Sequence, residues 1–313
     1  MKNKYILLAG GSGFLGQELT AQWGKDNRVA ILTRNIKGAA NNIYGEKKQA
    51  DNAEMIHWDG KTQGGWVQKL EGCDILINLA GRSVNCRYNE ANKAEIMNSR
   101  IDAVKVLGAA ISTLGQPPGL LVQVASATIY RHAEDRPQDE YTGEIENDFS
   151  VQVCKAWEKA VKKLTLPHTR TAVLRMATVL GHGGVLVPYS WLARLGIGGR
   201  HGNGKQMFSW IHIDDVQGII EWLAAHNERQ GVYNASAPNP VSNAELMKQL
   251  RSIYKMPIGI NAPRWLLKTG AFIQGTEPEL LLKSRWVLPA RLQKEGFSFK
   301  YEHINAALNN LLA

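Results

Sequence analysis

Glycines recur at three-residue intervals near the start of the chain, in Gly10-Gly11-Ser12-Gly13-Phe14-Leu15-Gly16. An apolar run precedes this segment and a helical pattern follows it. Between a strand and a helix, Gly10 permits a tight turn, Gly13 lets the backbone approach a phosphate, and Gly16 allows close helix packing. The amino end of the helix attracts an anion, because its N–H groups point outward. The segment therefore predicts a binding site for the pyrophosphate of a dinucleotide.

The residue after the second predicted strand decides which dinucleotide fits. Sites selective for NAD place an acidic residue about 20 residues beyond the glycines, where it binds the ribose hydroxyls. This sequence has Thr33 and Arg34 there, with no acidic residue nearby. A guanidinium binds a 2′-phosphate through paired hydrogen bonds, whereas a carboxylate would repel it. The sequence therefore predicts NADP(H) as the cofactor in preference to NAD(H).

The elements that must position this site alternate between short apolar strands and helices. Predicted helices cover 14–23, 90–113 and 149–164, and predicted strands cover 5–9, 29–33, 55–58, 74–78, 120–124 and 170–175. Near-continuous apolar strands separated by helices indicate a parallel sheet covered on both faces. Right-handed crossovers make such a sheet doubly wound. We therefore predict an α/β fold with a Rossmann-type dinucleotide-binding domain.

The alternation stops near residue 180, and the second half of the chain has a different pattern. Residues 181–204 are rich in glycine and are predicted to be irregular. The C-terminal residues are predicted to be mainly helical, with one short strand at 297–299. We predict an NADP-binding domain at 1–180, which 209–236 rejoins, and a smaller substrate-binding lobe at 181–313.

Composition limits the partners that we expect. The net charge is +9, but the Lys and Arg residues are scattered without a basic run, which argues against nucleic acid. Three irregularly spaced cysteines suit neither a disulfide framework nor a metal site, and they fit a reducing compartment. No stretch approaches the ~20 apolar residues of a membrane span, and the first apolar run is too short for a signal peptide. We expect a cytoplasmic protein without a metal, membrane or nucleic-acid partner.

Two further segments resemble the extended short-chain dehydrogenase/reductase superfamily. Asn78-Leu79-Ala80-Gly81 is similar to the segment that lines the adenine and ribose side of the cofactor, and Ser126 matches the superfamily's catalytic Ser/Thr position. Other motifs identify the sequence as a member of an atypical branch, the "epimerase family", also described as cell-division-inhibitor-like, with a short C-terminal domain of unknown function. These motifs are Glu95 to Asp102, Cys154 to Glu158, Val179 to Gly184, Ser209 to Asp215, Asn234 to Pro240 and Val287 to Pro289.

The resemblance implies which residues contact NADP, and it makes a homodimer plausible. Arg100 also has a physical argument, because a second cation near the phosphates would add to Arg34, although it can equally be a helix-surface arginine. Together with the glycine segment, the predicted cofactor-binding residues are Gly10, Gly13, Phe14, Leu15, Gly16, Thr33, Arg34, Leu79, Ala80, Gly81, Glu95 and Arg100.

The sequence departs from the superfamily at the catalytic pair Tyr-x-x-x-Lys, in which the lysine lowers the pKa of the tyrosine so that it can transfer a proton. Alignment on Glu158 places Ser150 and Cys154 at these positions, and neither this register nor the next supplies a tyrosine. The loss is typical of this branch.

Four other side chains are candidates for chemistry. Ser126 can orient a substrate oxygen, or its hydroxyl can be bonded to backbone at the end of a strand. Tyr130 can replace the missing proton donor, or it can form a pocket wall. We interpret Cys154 as a buried structural thiol. We interpret His212 as a buried, hydrogen-bonded residue beside a helix that Asp214 caps.

Two functions fit these residues. The first is an NADP(H)-dependent oxidoreductase or epimerase-like enzyme, in which hydride moves between the nicotinamide and an unknown small molecule polarised by Ser126. The alternative is a non-catalytic NADP(H)-binding regulator or redox sensor. The retained serine and the second lobe favour an enzyme, whereas the missing Tyr-x-x-x-Lys pair favours the alternative.

Overall fold

The computed structural model describes residues 1–36, 53–267, 277 and 283–313. The strands are β1 (Tyr5–Ala9), β2 (Arg28–Thr33), β3 (Ala53–His57), β4 (Ile75–Asn78), β5 (Leu120–Ser126), β6 (Arg170–Met176), β7 (Thr178–Leu180), β8 (Met207–Phe208), β9 (Trp210–His212), β10 (Gly231–Ala235) and β11 (Val241–Ser242). The helices are α1 (Phe14–Trp23), α2 (Glu90–Ile111), α3 (Phe149–Lys162), α4 (Leu186–Arg194), α5 (Ile213–Ala225), α6 (Asn243–Ile253), α7 (Ala290–Lys294) and α8 (Ile304–Leu312). Two 3₁₀ turns cover Gly65–Leu70 and Ala127–Ile129.

Seven of these strands form one parallel sheet, in the order β10-β6-β5-β4-β1-β2-β3. The predicted doubly wound parallel sheet is therefore confirmed. The strand order reverses between β1 and β4, and in open α/β sheets ligands bind beyond the carboxyl ends of the strands at such a point. The fold thus places the glycine segment, which follows the carboxyl end of β1, at the edge of the sheet where a ligand is expected to bind.

The apolar strands bury both faces of the sheet. Along β1, Ile6 and Leu8 belong to a cluster with α1 and α5, whereas Leu7 and Ala9 belong to a cluster with α2 and the first 3₁₀ turn. This alternation follows from the two-residue period of a strand. Burial of each large aliphatic side chain stabilises the fold by about 1.5–3 kcal/mol. The core therefore holds the strand ends in fixed positions around the site.

Side chains at the helix starts explain where several helices begin. Asp148 accepts a hydrogen bond from the backbone of Val151 at 2.9 Å, and Ser242 caps α6 as its capping-box pattern predicts. For α5, the prediction that Asp214 is the cap is wrong. The Nδ1 atom of His212 accepts the Asp214 N–H at 3.0 Å, and α5 begins at Ile213, so the cap lies two residues earlier than predicted.

The second half of the chain differs from the prediction in two other places. Part of the stretch predicted to be irregular forms α4, which packs with α6 and α8 around a third apolar cluster. No strand forms at 297–299 in the described structure; Phe297 instead packs its ring on Trp222, with ring centroids 5.7 Å apart. The part of the helical prediction that falls on 268–276 and 278–282 lies outside the described residues. The strand β10 pairs with β6 at the edge of the main sheet.

Candidate cofactor site

A cavity of about 580 Å³ lies at the carboxyl ends of β1, β2 and β4. It coincides with the point where the strand order reverses. Eight of the twelve predicted cofactor residues line it, namely Gly10, Gly13, Thr33, Arg34, Leu79, Ala80, Gly81 and Glu95.

Three glycines of the glycine segment differ in the space around their Cα atoms. Gly10 has a φ of +77°, and a Cβ there would lie 2.7 Å from the Cα of Ala80, so the turn requires glycine. A Cβ on Gly16 would lie 2.2 Å from the carbonyl oxygen of Gly11, which explains how α1 approaches the preceding turn so closely. A Cβ on Gly13 would meet no atom within 4 Å, so its face toward the cavity is open.

Phe14, Leu15 and Gly16 do not line the cavity with their side chains. The ring of Phe14 packs against the backbone at Gly181 and Gly184, while Leu15 packs on the core. However, α1 begins at Phe14, directly after the cavity wall, and its N-cap residue is Gly13, which has no side chain that could cap the helix. A helix start of this kind offers backbone N–H groups to an anion.

The turn after β4 is held by Asn78. Its Oδ1 atom accepts the Ala80 N–H at 3.0 Å, and its Nδ2 atom donates to Gln123 on the neighbouring strand at 2.8 Å. The Leu79 N–H donates to the carbonyl of Ala9 at 2.8 Å. The Asn-Leu-Ala-Gly motif therefore fixes the wall opposite the glycine turn.

Arg34 is exposed at the rim of this cavity and makes no hydrogen bond or ion pair with another described residue. The neighbouring Thr33 donates to the Ser12 hydroxyl at 3.1 Å, which ties the end of β2 to the glycine turn. Asp59 also lines the cavity, but Thr62 and the Lys61 N–H bind its carboxylate and lower its pKa to about 2. The rim thus presents an available guanidinium beside a carboxylate that is already engaged.

Arg82, which was not predicted to contact the cofactor, lines the cavity in place of the predicted Arg100. Arg82 pairs with Glu95 and donates to Asn92 at 2.9 Å. Arg100 is not among the lining residues; it donates to the carbonyl oxygens of Arg82 and Ile96, at 3.0 and 2.9 Å. Arg100 therefore supports the turn that carries Arg82 from behind the cavity wall.

Ser126 ends β5, the strand next to β4, outside the lining of this cavity. Its hydroxyl donates to the Thr128 hydroxyl at 2.9 Å and accepts the Thr128 N–H at 3.2 Å. The hydrogen bond from backbone to the Ser126 hydroxyl, one of the two alternatives given for this residue, is thus present. It pairs Ser126 with a second hydroxyl, on Thr128, that sequence reasoning had missed.

Tyr130 lies inside the protein, with 1% of its surface exposed. Its hydroxyl donates to Asn234 at 3.0 Å and accepts from Arg175 at 2.7 Å. Arg175 in turn holds the buried Glu158 through two bonds of 2.8 and 2.9 Å. Burial raises the pKa of Tyr130, which makes proton release harder. In this environment Tyr130 has a structural role, because its hydroxyl is part of a buried hydrogen-bond network.

Cys154 and His212 are also buried. Burial raises the pKa of the Cys154 thiol to about 12, which disfavours a nucleophilic thiolate. His212 stacks on Tyr301 at a centroid distance of 3.9 Å, and burial lowers its pKa to about 4. Its ring is therefore neutral near pH 7 and serves as a helix cap. Both side chains match the structural interpretations given to them.

Several lining residues were missed by sequence reasoning. Asp59 follows β3, and a polar residue just past a parallel strand reaches the same edge of the sheet, so its position was a usable signal. Ser99 accepts the Arg82 N–H at 2.9 Å, a contact between distant segments with no local signature. The other missed lining residues include Ser12, Asn35, Trp58, Lys61, Arg82 and Asn98.

The fold and the glycine-turn cavity define a Rossmann-type nucleotide-binding protein, and comparisons with known proteins narrow the class. Residues 6–236 match the NAD dependent epimerase/dehydratase family, and residues 262–311 match a domain of unknown function, DUF1731. The chain belongs to this epimerase/dehydratase family.

The chain is similar over almost its whole length to proteins of distant organisms. It is 29% identical to the epimerase family protein YfhF of Bacillus subtilis, with 98% of each chain covered. It is 30% identical to the epimerase family protein SDR39U1 of Mus musculus, covering 98% of this chain and 99% of that one. The crystal structure of human SDR39U1 (isoform 2) with NADPH superposes with a TM-score of 0.83 at 28% identity, covering 98% of both chains. The cell-division-inhibitor label of the predicted branch stays a prediction.

The described residues contain neither a membrane-spanning helix nor a metal-binding cluster. No helix among them is long and apolar enough to cross a membrane. No group of three His, Cys, Asp or Glu side chains among them is arranged to hold a metal ion.

Proposed function

We propose that the chain binds NADP(H) in the cavity at the glycine turn and acts as an oxidoreductase or epimerase-like enzyme on a small molecule. The observation that carries the cofactor assignment is Arg34, a guanidinium at the cavity rim that no other described residue engages. A 2′-phosphate is the group that distinguishes NADP(H) from NAD(H), and a guanidinium is well suited to bind it. The human relative crystallised with NADPH supports the same choice.

The other cavity residues fit a dinucleotide. The open face of Gly13 and the uncapped start of α1 would receive the pyrophosphate. Arg34, with Lys61 on the same rim, would bind the 2′-phosphate. The Glu95 carboxylate would repel a phosphate, but its ion pair with Arg82 offsets that charge. Phe14, Leu15 and Gly16 would contribute through the backbone of α1, and Arg100 would position the wall rather than touch the cofactor.

When bound, the nicotinamide supplies or accepts a hydride. The Ser126–Thr128 hydroxyl pair, at the end of β5, would orient and polarise a substrate oxygen. Because the Ser126 hydroxyl donates to Thr128, Thr128 keeps a proton that it can donate to that oxygen. Tyr130 would act as the proton donor only if its hydroxyl left Arg175 and Asn234.

The test is titration of the purified protein with NADPH and separately with NADH, followed by nicotinamide fluorescence. We expect NADPH to bind at least about tenfold more tightly than NADH, and Arg34→Asp to remove that preference, because a carboxylate repels the 2′-phosphate. Lys155→Asp is the matched control, since Lys155 is an exposed cation on α3 outside the cavity. Equal binding of the two nucleotides, or equal losses in both variants, would overturn the assignment.

The non-catalytic alternative is favoured by one observation, the engaged and buried hydroxyl of Tyr130. The two functions separate once NADPH binding is established. Oxidation of bound NADPH by a carbonyl compound, slowed in a Ser126→Ala, Thr128→Val variant, would support the enzyme. NADPH binding without turnover across a broad substrate panel would favour a regulator or sensor.

A further inference from the structure

A second cavity, of about 250 Å³, lies between α4, the end of α6 and the C-terminal helix α8. None of its lining residues also lines the cofactor cavity. Leu186, Val187 and Trp191 of α4 and Leu311 and Leu312 at the end of α8 form its apolar walls. The cavity is thus a separate feature of the second lobe.

Four polar side chains line this apolar cavity, and one of them, His182, pairs with Glu18 at 3.4 Å. The Ser190 hydroxyl and the Tyr254 hydroxyl are both buried without a hydrogen-bond partner among the described residues. Ser190 is only 8% exposed. Buried polar groups normally find partners, and an unpaired one is costly, so two of them around one cavity indicate that a ligand atom completes their bonding.

The fourth polar side chain is Arg194, in the last turn of α4. Its guanidinium lies 4.6 Å from the centroid of the Tyr254 ring, which holds the charge at the edge of the cavity. Among the described residues no acidic side chain lines the cavity itself, and the nearby Glu18 is engaged by His182. The sequence also contains no Asp or Glu at 159–213 or 246–276, the segments that supply α4 and Tyr254. Two hydroxyls and an uncompensated guanidinium therefore favour an anionic group.

The side chains at the opening of this cavity are apolar, which favours a ligand whose anionic group carries an apolar chain. Val187 and Trp191 stand one helical turn apart, and they are 48% and 61% exposed. Large apolar side chains exposed together often mark a binding site. The volume is below the roughly 300–1,000 Å³ of pockets for drug-sized ligands, so the cavity suits one short chain.

We propose that this second cavity binds a small amphipathic anion, a medium-chain carboxylate. Its carboxylate is held by Arg194, Ser190 and Tyr254, and its chain lies along Trp191 and the end of α8. The site is independent of the proposed cofactor, so it stands or falls separately from the NADP(H) assignment.

Calorimetric titration of the full chain with octanoate, and with octanol as the uncharged probe, tests this site. We expect octanoate to bind with one-to-one stoichiometry, whether or not NADPH is present. Arg194→Gln should weaken octanoate binding about tenfold or more and octanol binding less than about twofold, because only the carboxylate pairs with the guanidinium. Ser190→Ala should weaken octanoate several-fold. Lys155→Gln, which removes an exposed cation on α3, should leave both unchanged.

Three results would overturn the proposal. The first is an absence of octanoate binding at millimolar concentration in wild-type protein whose thermal unfolding is normal. The second is an equal loss of octanoate and octanol binding in Arg194→Gln. The third is competition between octanoate and NADPH, which would place the ligand in the cofactor cavity instead.

Discussion

The polar side chains at the two halves of the sheet's carboxyl edge differ in how they are hydrogen-bonded. Beyond β1, β2 and β4 the polar groups face an open cavity, and Arg34 has no partner among the described residues. Beyond β5 and β6, Tyr130, Arg175 and Glu158 are joined in one buried network.

This difference separates binding from catalysis. A polar group that binds a ligand must have donors or acceptors that are not already bonded within the protein. In a buried network, the donors and acceptors are bonded to one another and stabilise the fold. The half predicted to bind the cofactor has kept its binding groups. In the neighbouring half, Cys154 is one of the residues that replaced the missing Tyr-x-x-x-Lys pair, and it too is buried. The enzyme hypothesis therefore depends on Ser126 and Thr128, which are half-buried at the boundary between the halves.

The largest expected difference between the halves is in stability. Arg175→Ala leaves the Glu158 carboxylate buried without its partner, which should lower the free energy of unfolding by about 3–5 kcal/mol. Arg34→Ala should change it by less than about 0.5 kcal/mol, because an exposed side chain without partners is removed. Urea unfolding measures both. Similar effects of the two substitutions would contradict the proposed contrast.

Two glycines give the next comparison, within the binding half. Gly16→Ala places a methyl group against the backbone of Gly11 and should cost about 3 kcal/mol of stability, at the upper end for overpacking. The methyl group added by Gly13→Ala meets no atom within 4 Å, so the stability of this variant should be unchanged. Its NADPH binding, by contrast, should weaken about tenfold. Thermal unfolding and nucleotide titration of the pair separate the two roles. Unchanged NADPH affinity in Gly13→Ala would argue against a phosphate at that glycine.

His212 is a further side chain whose hydrogen bonds serve the fold, although a histidine can in principle act as a general base. Burial lowers its pKa in the folded state to about 4, below the usual histidine pKa of 6.5, so the unfolded chain takes up the proton first as the pH falls. The stability that it contributes is fully present above pH 6.5 and is lost as the pH falls toward 4. Between pH 7 and 5 the wild type should lose about 2 kcal/mol more than His212→Asn. Equal losses in both proteins would show that His212 is not a buried neutral cap.

The smallest effect concerns the thiols. Cys73 and Cys154 are buried, with pKa values raised to about 12, whereas Cys86 is partly exposed. Alkylation of the native protein at pH 8 should therefore modify Cys86 alone, as read by mass spectrometry. Rapid modification of Cys154 would contradict its interpretation as a buried structural thiol.

The parts of this picture that sequence predicted are those with local signals. The glycine turn, the apolar strands and Arg34 each depend on a few adjacent residues, and the structure places them together at one edge. The parts that sequence missed depend on contacts between distant segments. Arg82 and Arg100 lie 18 residues apart, and only their packing shows which one faces the cavity. Likewise, nothing around Tyr130 in the sequence indicates that its hydroxyl meets Arg175.

The most direct test of the central claim is a binding cycle with nucleotide fragments that lack the nicotinamide. Calorimetry would compare 2′,5′-ADP with 5′-ADP in the wild type and in Arg34→Ala. We predict that the wild type binds 2′,5′-ADP at least about tenfold more tightly, and that this preference falls below about threefold in Arg34→Ala, because the Arg34 guanidinium at the rim is engaged by no other described residue. An equal preference in the two proteins would contradict the claim that Arg34 recognises the 2′-phosphate.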